Sequence, residues 1–199
     1  MKPVVLCSIA ILNLVLLLMA GPVFAYPGET NAREQADMRQ FLEQAIGESD
    51  SFVDRYDAEV WLVDMSARLE RYMDDEPERL NLLKAVHREA RAADLKPDLV
   101  LALIQIESRF DQYAVSRVGA QGLMQVMPFW KNEIGRPSDN LTEMNTNLRY
   151  GCRILQFYLA REKGNLRKAL ARYNGSVGKT WYSELVMNAW FDYWIAGDL

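Results

Sequence analysis

Apolar residues recur along much of this chain at the three- and four-residue intervals of a helix, and strand-like alternation is scarce. The pattern predicts a charged, mildly amphipathic helix over 32–46, ended by Gly47. Over 54–73, Val60, Trp61, Met65 and Leu69 form much of one face of a second helix. Asp74, Asp75, Glu76 and Pro77 interrupt the pattern, and Pro77 suits the first turn of the next helix. Leu80, Leu83, Val86, Ala90 and Ala93 give that helix its core stripe. Pro97 opens another, with Leu99, Ala102, Leu103 and Ile106 on its buried face. Residues 110–141 have no sustained period and are rich in Gly, Ser and Asn. Irregular segments of that length inside a compact domain are usually functional. Helical spacing returns over 147–161 and 166–173, and Gly175 and Gly178 mark a turn. The chain then becomes aromatic, with Trp181, Tyr182, Trp190, Phe191, Tyr193 and Trp194. The expected fold class is all-α.

The beginning of the chain follows a different rule. Lys2 precedes a long apolar run over 4–20, interrupted by Ser8 and Asn13 and broken by Gly21 and Pro22. Val23 and Ala25 then place small residues at the −3 and −1 positions of a cleavage site. This is the pattern of a secretory signal peptide over 1–25, cleaved after Ala25. An uncleaved membrane anchor is the competing reading, because the run approaches the length of a bilayer span. Cys7 is a poor lipidation site, being close to the N-terminus and preceded by the bulky Leu6. The rest divides into a helical extension over 26–75, either packed on the main domain or acting as a spacer, and a main helical domain over 76–199.

Composition narrows the chemistry. Of 199 residues, 50% are apolar and 25% charged, as in a soluble globular protein. A formal charge of −4 gives no general basic surface for nucleic acid or anionic lipid. No P-loop, GxGxxG, HExxH or paired CxxC occurs, and neither a metal site nor a cofactor is expected. Without the signal segment, Cys152 is the only cysteine. It shares an apolar face with Leu148, Leu155 and Leu159 and reads as a buried small hydrophobe. His87, the only histidine, points away from the stripe of its helix and is expected at the surface.

The residues that carry chemistry lie in one run, ESRFDQYAVSRVGAQGLMQVMP, from position 107 to 128. Glu107 ends an apolar helix, where the negative end of the macrodipole disfavours ionisation. Partial burial acts in the same direction. A carboxyl kept protonated near neutral pH is what general acid catalysis requires. The loop after it offers backbone amides that can hold a polar ligand beside that acid.

This run resembles the catalytic signature of the lytic transglycosylases with the goose-type lysozyme fold, which cut the glycan strands of bacterial peptidoglycan. Glu107 and Ser108 resemble the family's Glu-Ser pair, and Phe110 and Ala114 its apolar positions. Ser116, Gly119 and Ala120 resemble the loop that shapes the cleft. Gly122, Leu123, Met124, Gln125, Met127 and Pro128 resemble its GLMQ-x-MP run. Asn147 and Gly151 resemble a later Asn-x-x-x-Gly motif, and 171–175 an Ala-x-Tyr-Asn element. The resemblance spans roughly residues 82–186. It implies a lysozyme-like helical domain with Glu107 as acid and then base, and Tyr173 orienting it. It also implies sugar contacts from Ser108, Ser116, Gly122, Met124, Gln125, Met127 and Asn174. Most C-terminal aromatics are expected in the core. Tyr182, by its place in the family pattern, is the expected exception that stacks on sugar. Phe129, Trp130, Arg172 and Ser176 depart from the common pattern and leave the subsites open.

Ordinary glycosidases use a second carboxylate. Asp111, Glu133, Asp139 and Glu143 qualify by type, but none lies in a matched motif. The resemblance implies substrate assistance instead. The 2-acetamido group of N-acetylmuramic acid serves as internal nucleophile, and the sugar's 6-hydroxyl closes a 1,6-anhydro ring. The expected protein is an exported, periplasmic lyase acting on peptidoglycan, in contact with membrane only if the leader is retained. The alternatives are a hydrolase of the same fold, with a residue such as Asp111 or Glu143 positioning water, and a non-catalytic wall-binding protein.

Overall fold

A computed structural model describes residues 55–195. The expected signal peptide over 1–25, Cys7 and the expected helix over 32–46 lie outside the described residues. The described chain is helix and loop, as the periodicity predicts. Its helices are α1 (Arg55–Leu69), α2 (Glu76–Ala92), α3 (Pro97–Glu107), α4 (Trp130–Ile134), α5 (Met144–Arg161), α6 (Leu166–Asn174) and α7 (Trp181–Ala189). A π-helical turn (Trp190–Trp194) continues α7. Among the described residues, β pairing is limited to isolated bridges that Gln121 makes with Val115 and with Val126.

Local chemistry sets several helix ends. The Asp75 carboxylate accepts the N–H of Glu78 at 2.7 Å, and Pro77 occupies the first turn of α2. Asn165 caps α6 by accepting the N–H of Lys168 at 3.1 Å. Gly175, at φ +78°, ends α6 in the left-handed conformation that favours glycine.

The core is organised around α3. Leu99, Val100, Leu101, Ala102, Leu103 and Ile104 are all buried, so this helix has no solvent-facing stripe along its middle. It is enclosed by α2, α7 and the π-helical turn. A helix apolar on all sides needs such a sleeve. Glu107 at its C-terminal end is thereby delivered to the edge of the densest part of the molecule.

The aromatic C-terminus forms much of the sleeve. Trp194 is completely buried and donates its indole N–H to Gln105 Oε1 at 2.6 Å. Trp190 donates to Asp98 Oδ2 at 2.8 Å, at the start of α3. The rings of Tyr72 and Phe110 lie 4.8 Å apart, and those of Phe110 and Trp194 5.6 Å apart. Tyr193 donates its hydroxyl to the Arg68 carbonyl at 2.6 Å, and Arg68 Nη1 donates to the Tyr193 carbonyl at 2.5 Å. Met65 and Leu69 of α1 are fully buried in the same core. The described part of the 26–75 segment is thus packed on the main domain through α2 and the π-helical turn.

His87 departs from expectation. It is buried, with its ring 5.2 Å from that of Trp61. One apolar stripe accounts for one face of α2, but α2 packs against α1, α3 and α5 together. His87 lies on the side covered by Trp61. Burial holds its imidazole below the usual range, and Arg91 adds to that.

Because Trp194 joins volume and a buried hydrogen bond, Trp194→Ala should lower unfolding free energy by about 3–5 kcal/mol. Urea denaturation followed by circular dichroism measures this. A loss under about 1 kcal/mol would contradict the role assigned to the ring.

Candidate active site

Glu107 stands where α3 stops. Ser108 follows it and donates its hydroxyl back to the Ile104 carbonyl at 3.2 Å. Arg109 and Phe110 then take φ values of +53° and +69°, which turn the chain sharply away from the helix axis. Non-glycine residues take that conformation at a cost. Here the burial of the Phe110 ring in the aromatic cluster offsets it.

The loop facing Glu107 is built around one asparagine. Asn147 on α5 is completely buried, and its Oδ1 accepts the N–H of Met124 at 2.7 Å. Its Nδ2 donates to the carbonyls of Gln121 at 2.8 Å and Leu141 at 2.7 Å. One amide side chain therefore ties two distant stretches of irregular backbone to α5. Such close approach explains the glycines. A Cβ on Gly122, which has φ +74°, would sit 2.4 Å from Asn147 Nδ2 and 2.5 Å from the Leu141 oxygen. A Cβ on Gly151 would sit 2.4 Å from the Met124 sulfur. Met124 is a buried anchor seated against Gly151.

Gln125 itself takes φ +48°. Its Nε2 donates to the carbonyls of Ala114 at 3.1 Å and Gly122 at 2.9 Å. Both amide donors are occupied, so this side chain offers a ligand its carbonyl oxygen. Ser116 shapes the adjoining turn by accepting the N–H of Ala120 on its Oγ at 2.9 Å.

These elements enclose a cleft with a cavity volume of about 240 Å³. Of the residues predicted for the site, Glu107, Ser116, Gln125, Met127, Tyr173 and Asn174 line it. Ser108, Gly122, Met124 and Tyr182 do not line it, although Gly122, Met124 and Tyr182 bond to residues that do. The cleft also takes in Phe129, Trp130, Ile154, Tyr158 and Arg172. Ile154 and Tyr158 are one helical turn apart on α5, a signal present in the sequence but hidden beside the stronger stripe of Leu148, Cys152, Leu155 and Leu159.

The two tyrosines make contacts other than those expected. Tyr173 was expected to orient Glu107, but its hydroxyl donates to the Met124 carbonyl at 2.8 Å. Tyr182 was expected to stack on sugar, but it is buried and its hydroxyl donates to Glu107 Oε1. The register of α7 is the reason. Tyr182, Val186 and Trp190 form its buried stripe, whereas Trp181 is 40% exposed. Burial, followed by the nearby Glu107 charge, raises both phenols well above their usual range, so both stay protonated donors.

Burial raises the Glu107 carboxyl to about 7, and the Tyr182 hydrogen bond opposes that rise. Near neutral pH the group therefore holds a proton in a substantial fraction of molecules while remaining partly exposed. The four other carboxylates considered from sequence are placed elsewhere. Glu143 caps α5 by accepting the N–H groups of Asn145 at 3.0 Å and Thr146 at 2.6 Å. Asp139 accepts from the Tyr150 hydroxyl at 2.6 Å, the main cause that holds its carboxyl below the usual range. Asp111 accepts the N–H of Tyr113 at 2.8 Å. Neither these three nor Glu133 line the cleft, where Glu107 is the only carboxylate among the described residues. Those residues also contain no cluster of His, Cys, Asp or Glu suited to a metal ion.

The family model of the Transglycosylase SLT domain matches residues 84–185, half of the chain, and covers every cleft residue named above. The chain belongs to this family. The SLT domain here is similar to the membrane-bound lytic murein transglycosylase C of Yersinia pestis (strain Pestoides F). The two are 32% identical over 112 residues, which is 48% of this chain and 31% of the relative. The protein of that name from Yersinia pseudotuberculosis serotype O:1b (strain IP 31758) matches with the same figures. The chain spans about a third of the length of these curated relatives. Among solved structures, an inactive mutant of the lytic transglycosylase Slt from Pseudomonas aeruginosa is similar at a TM-score of 0.45 and 20% identity. That match covers 82% of this chain and 34% of the other.

Two measurements follow from the buried carboxyl. Tyr182→Phe removes the one hydrogen bond that favours the ionised form, so the Glu107 midpoint should rise above about 7. Carbon-detected NMR titration of the labelled glutamate checks the direction, and an unchanged or lowered midpoint would contradict the contact. The second measurement is of stability. A folded-state pKa above the unfolded value near 4.5 stabilises the protein below pH 4.5, and that contribution is lost as pH rises through about 7. Glu107→Gln has no such loss. Its stability relative to the wild type should therefore grow by up to about 3 kcal/mol between pH 4 and pH 8. Thermal denaturation across that range tests the sign.

Proposed function

We propose that this protein is a peptidoglycan lytic transglycosylase. It would cleave the β-1,4 bond between N-acetylmuramic acid and N-acetylglucosamine and form 1,6-anhydro-N-acetylmuramic acid. The observation that carries this is a single cleft carboxyl, Glu107, held at about 7 by burial with a phenol hydroxyl bonded to it. Membership of the SLT family and the names of the Yersinia relatives support the same activity.

The sequence of events follows from that one group. Protonated Glu107 gives its proton to the glycosidic oxygen as the bond to C1 breaks. The oxygen of the substrate's own 2-acetamido group closes on C1 and takes the place of a second protein carboxylate. Glu107, now ionised, is stabilised by the Tyr182 hydroxyl that already points at it. It then removes the proton of the sugar's 6-hydroxyl, whose oxygen bonds to C1 and expels the acetamido oxygen. No water enters the product. A hydrolase would instead need a group to position water, and Asp111 and Glu143 are engaged with backbone N–H groups outside the cleft.

Substrate contacts would come from Ser116, Gln125, Met127 and Asn174, with Tyr173 fixing the loop through Met124. Asn174 Oδ1 is buried and lacks a hydrogen-bond partner among the described residues, so it can accept an N–H or O–H from sugar. Phe129 and Trp130, whose rings lie 4.6 Å apart, add an aromatic wall for sugar faces. The same proposal holds 1–25 as an export signal, places the protein in the periplasm and assigns 76–199 to the catalytic domain. Among the described residues no helix is long and apolar enough to cross a membrane.

Digestion of purified sacculi should release muropeptides with 1,6-anhydro ends, identified by mass spectrometry. Reducing muramic ends would support the hydrolase instead. Glu107→Gln should reduce release by about a thousandfold while the protein stays folded. Undiminished release by that variant would remove Glu107 from the mechanism.

A further inference from the structure

The aromatic wall of the cleft, Phe129 and Trp130, stands at the start of the shortest α-helix among the described residues. α4 has five residues, and Phe129 is its N-cap. Among the described residues it makes none of the extensive helix–helix contacts that join the other helices to one another. Its N–H groups bond locally, Lys131 to the Pro128 carbonyl at 3.1 Å and Asn132 to the Phe129 carbonyl at 3.0 Å. Such bonds form the turn of helix but do not decide where it lies. Ile134 anchors the far end in the core. The place of the wall therefore depends on a few ties made by the segment after α4.

Asp139 folds that segment back. One carboxylate oxygen, Oδ2, accepts the N–H of Arg136 at 3.1 Å and the Tyr150 hydroxyl at 2.6 Å. The Asp139 N–H donates to the Arg136 carbonyl at 2.9 Å, and Lys131 Nζ donates to the Pro137 carbonyl at 2.9 Å. The turn is thus closed on itself and tied to α4. Gly135, at the end of α4, lies directly against the phenol. A Cβ there would overlap the Tyr150 hydroxyl and stand 2.6 Å from Asp139 Oδ2. Tyr150 is a buried residue of α5. Burial raises its phenol, which stays a protonated donor, and its bond to Asp139 keeps that carboxyl ionised. A hydrogen bond to a charged acceptor is stronger than a neutral one.

Position on α5 gives this tie its meaning. Asn147, Tyr150, Gly151, Ile154 and Tyr158 recur at three- and four-residue intervals, so they share one side of the helix. Asn147 and Gly151 hold the Met124 loop, and Ile154 and Tyr158 line the cleft. Tyr150 belongs to the same stripe and holds the α4 side. We propose that Tyr150 and Asp139 are positioning residues, which fix α4 and with it the Phe129–Trp130 wall against the bound glycan. This rests on the glycan-cleaving function proposed above. Neither side chain lines the cleft, so the pair acts through α4 on substrate affinity and not on proton transfer at Glu107.

The test uses the full chain and three variants. Tyr150→Phe keeps the ring and removes the hydroxyl, Asp139→Ala removes the acceptor, and Asp139→Asn keeps one acceptor oxygen. In amide-exchange NMR, the first two should speed exchange at Lys131 and Asn132 roughly fivefold and leave α3 unchanged, while Asp139→Asn stays near the wild type. Affinity for the probe tetra-N-acetylchitotetraose is read by calorimetry, with Glu107→Gln in the background to prevent turnover. It should fall roughly fivefold in Tyr150→Phe and Asp139→Ala and be retained in Asp139→Asn. On soluble glycan strands, KM should rise by a similar factor with kcat unchanged. Unchanged exchange in α4, equal acceleration in α3, or unchanged probe affinity would overturn the assignment. So would a loss confined to kcat, or a loss in Asp139→Asn equal to that in Asp139→Ala. Exchange and probe binding do not require cleavage. If both behave as described and no anhydro ends are formed, the positioning assignment stands and the transglycosylase assignment fails.

Discussion

Glu107 sits at the end of a helix whose residues 99–104 are all buried, and its carboxyl is surrounded by core on most sides. Desolvation of that one group sets the terms for everything near it. It raises the carboxyl to about 7, into the range where one residue can give a proton and later take one back. It also makes an isolated charge there costly, and the Tyr182 hydroxyl moderates that cost without removing it. Trp190 and Trp194, together with α2 and α7, cover residues 99–104 of that helix. Acid strength at the active site is in this sense a property of the whole core.

The opposite wall of the cleft is held by hydrogen bonds. Asn147 uses two of its three bonds to fix the loop carrying Gly122, Met124 and Gln125, and the third to hold the Leu141 carbonyl. Tyr173 adds a further tie, at the Met124 carbonyl. The loop is irregular because it must turn its backbone toward a ligand, and a buried irregular backbone has to find side-chain partners. Packed α3 on one side and a clamped loop on the other give the cleft rigid walls, as positioning of a reacting bond demands.

Beyond the cleft, the molecule separates apolar and charged functions on α6. Its inner residues Ala169 and Leu170 are buried, Tyr173 and Asn174 line the cleft, and Lys168 and Arg172 line a second cavity beside the turn over 175–180. A nine-residue helix thus serves the core and two cavities. Arg172 lines both cavities.

Much of this was legible in the chain itself. The all-α class, the boundaries of α2 and α3, Glu107 at a helix end and the Gly-rich loop all follow from local rules, namely apolar period, proline position and glycine conformational freedom. The expectation that most C-terminal aromatics are core holds for Trp190 and Trp194, whereas Trp181 and Phe191 are exposed and Tyr182, the expected exception, is buried. Tertiary structure alone decided which tyrosine meets the carboxyl. Tyr173 and Tyr182 are both near Glu107, and only the register of α7 against α3 directs the second hydroxyl to it. The burial of His87 was decided the same way, because α2 has neighbours on three sides and a linear pattern describes one face at a time. So was the placement of Glu143 and Asp139 outside the cleft, since their identity as acids is written in the sequence but their partners are not. Periodicity encodes which face of a helix is apolar. It contains no term for the rotation and depth at which two such faces meet, and here that meeting determines the chemistry.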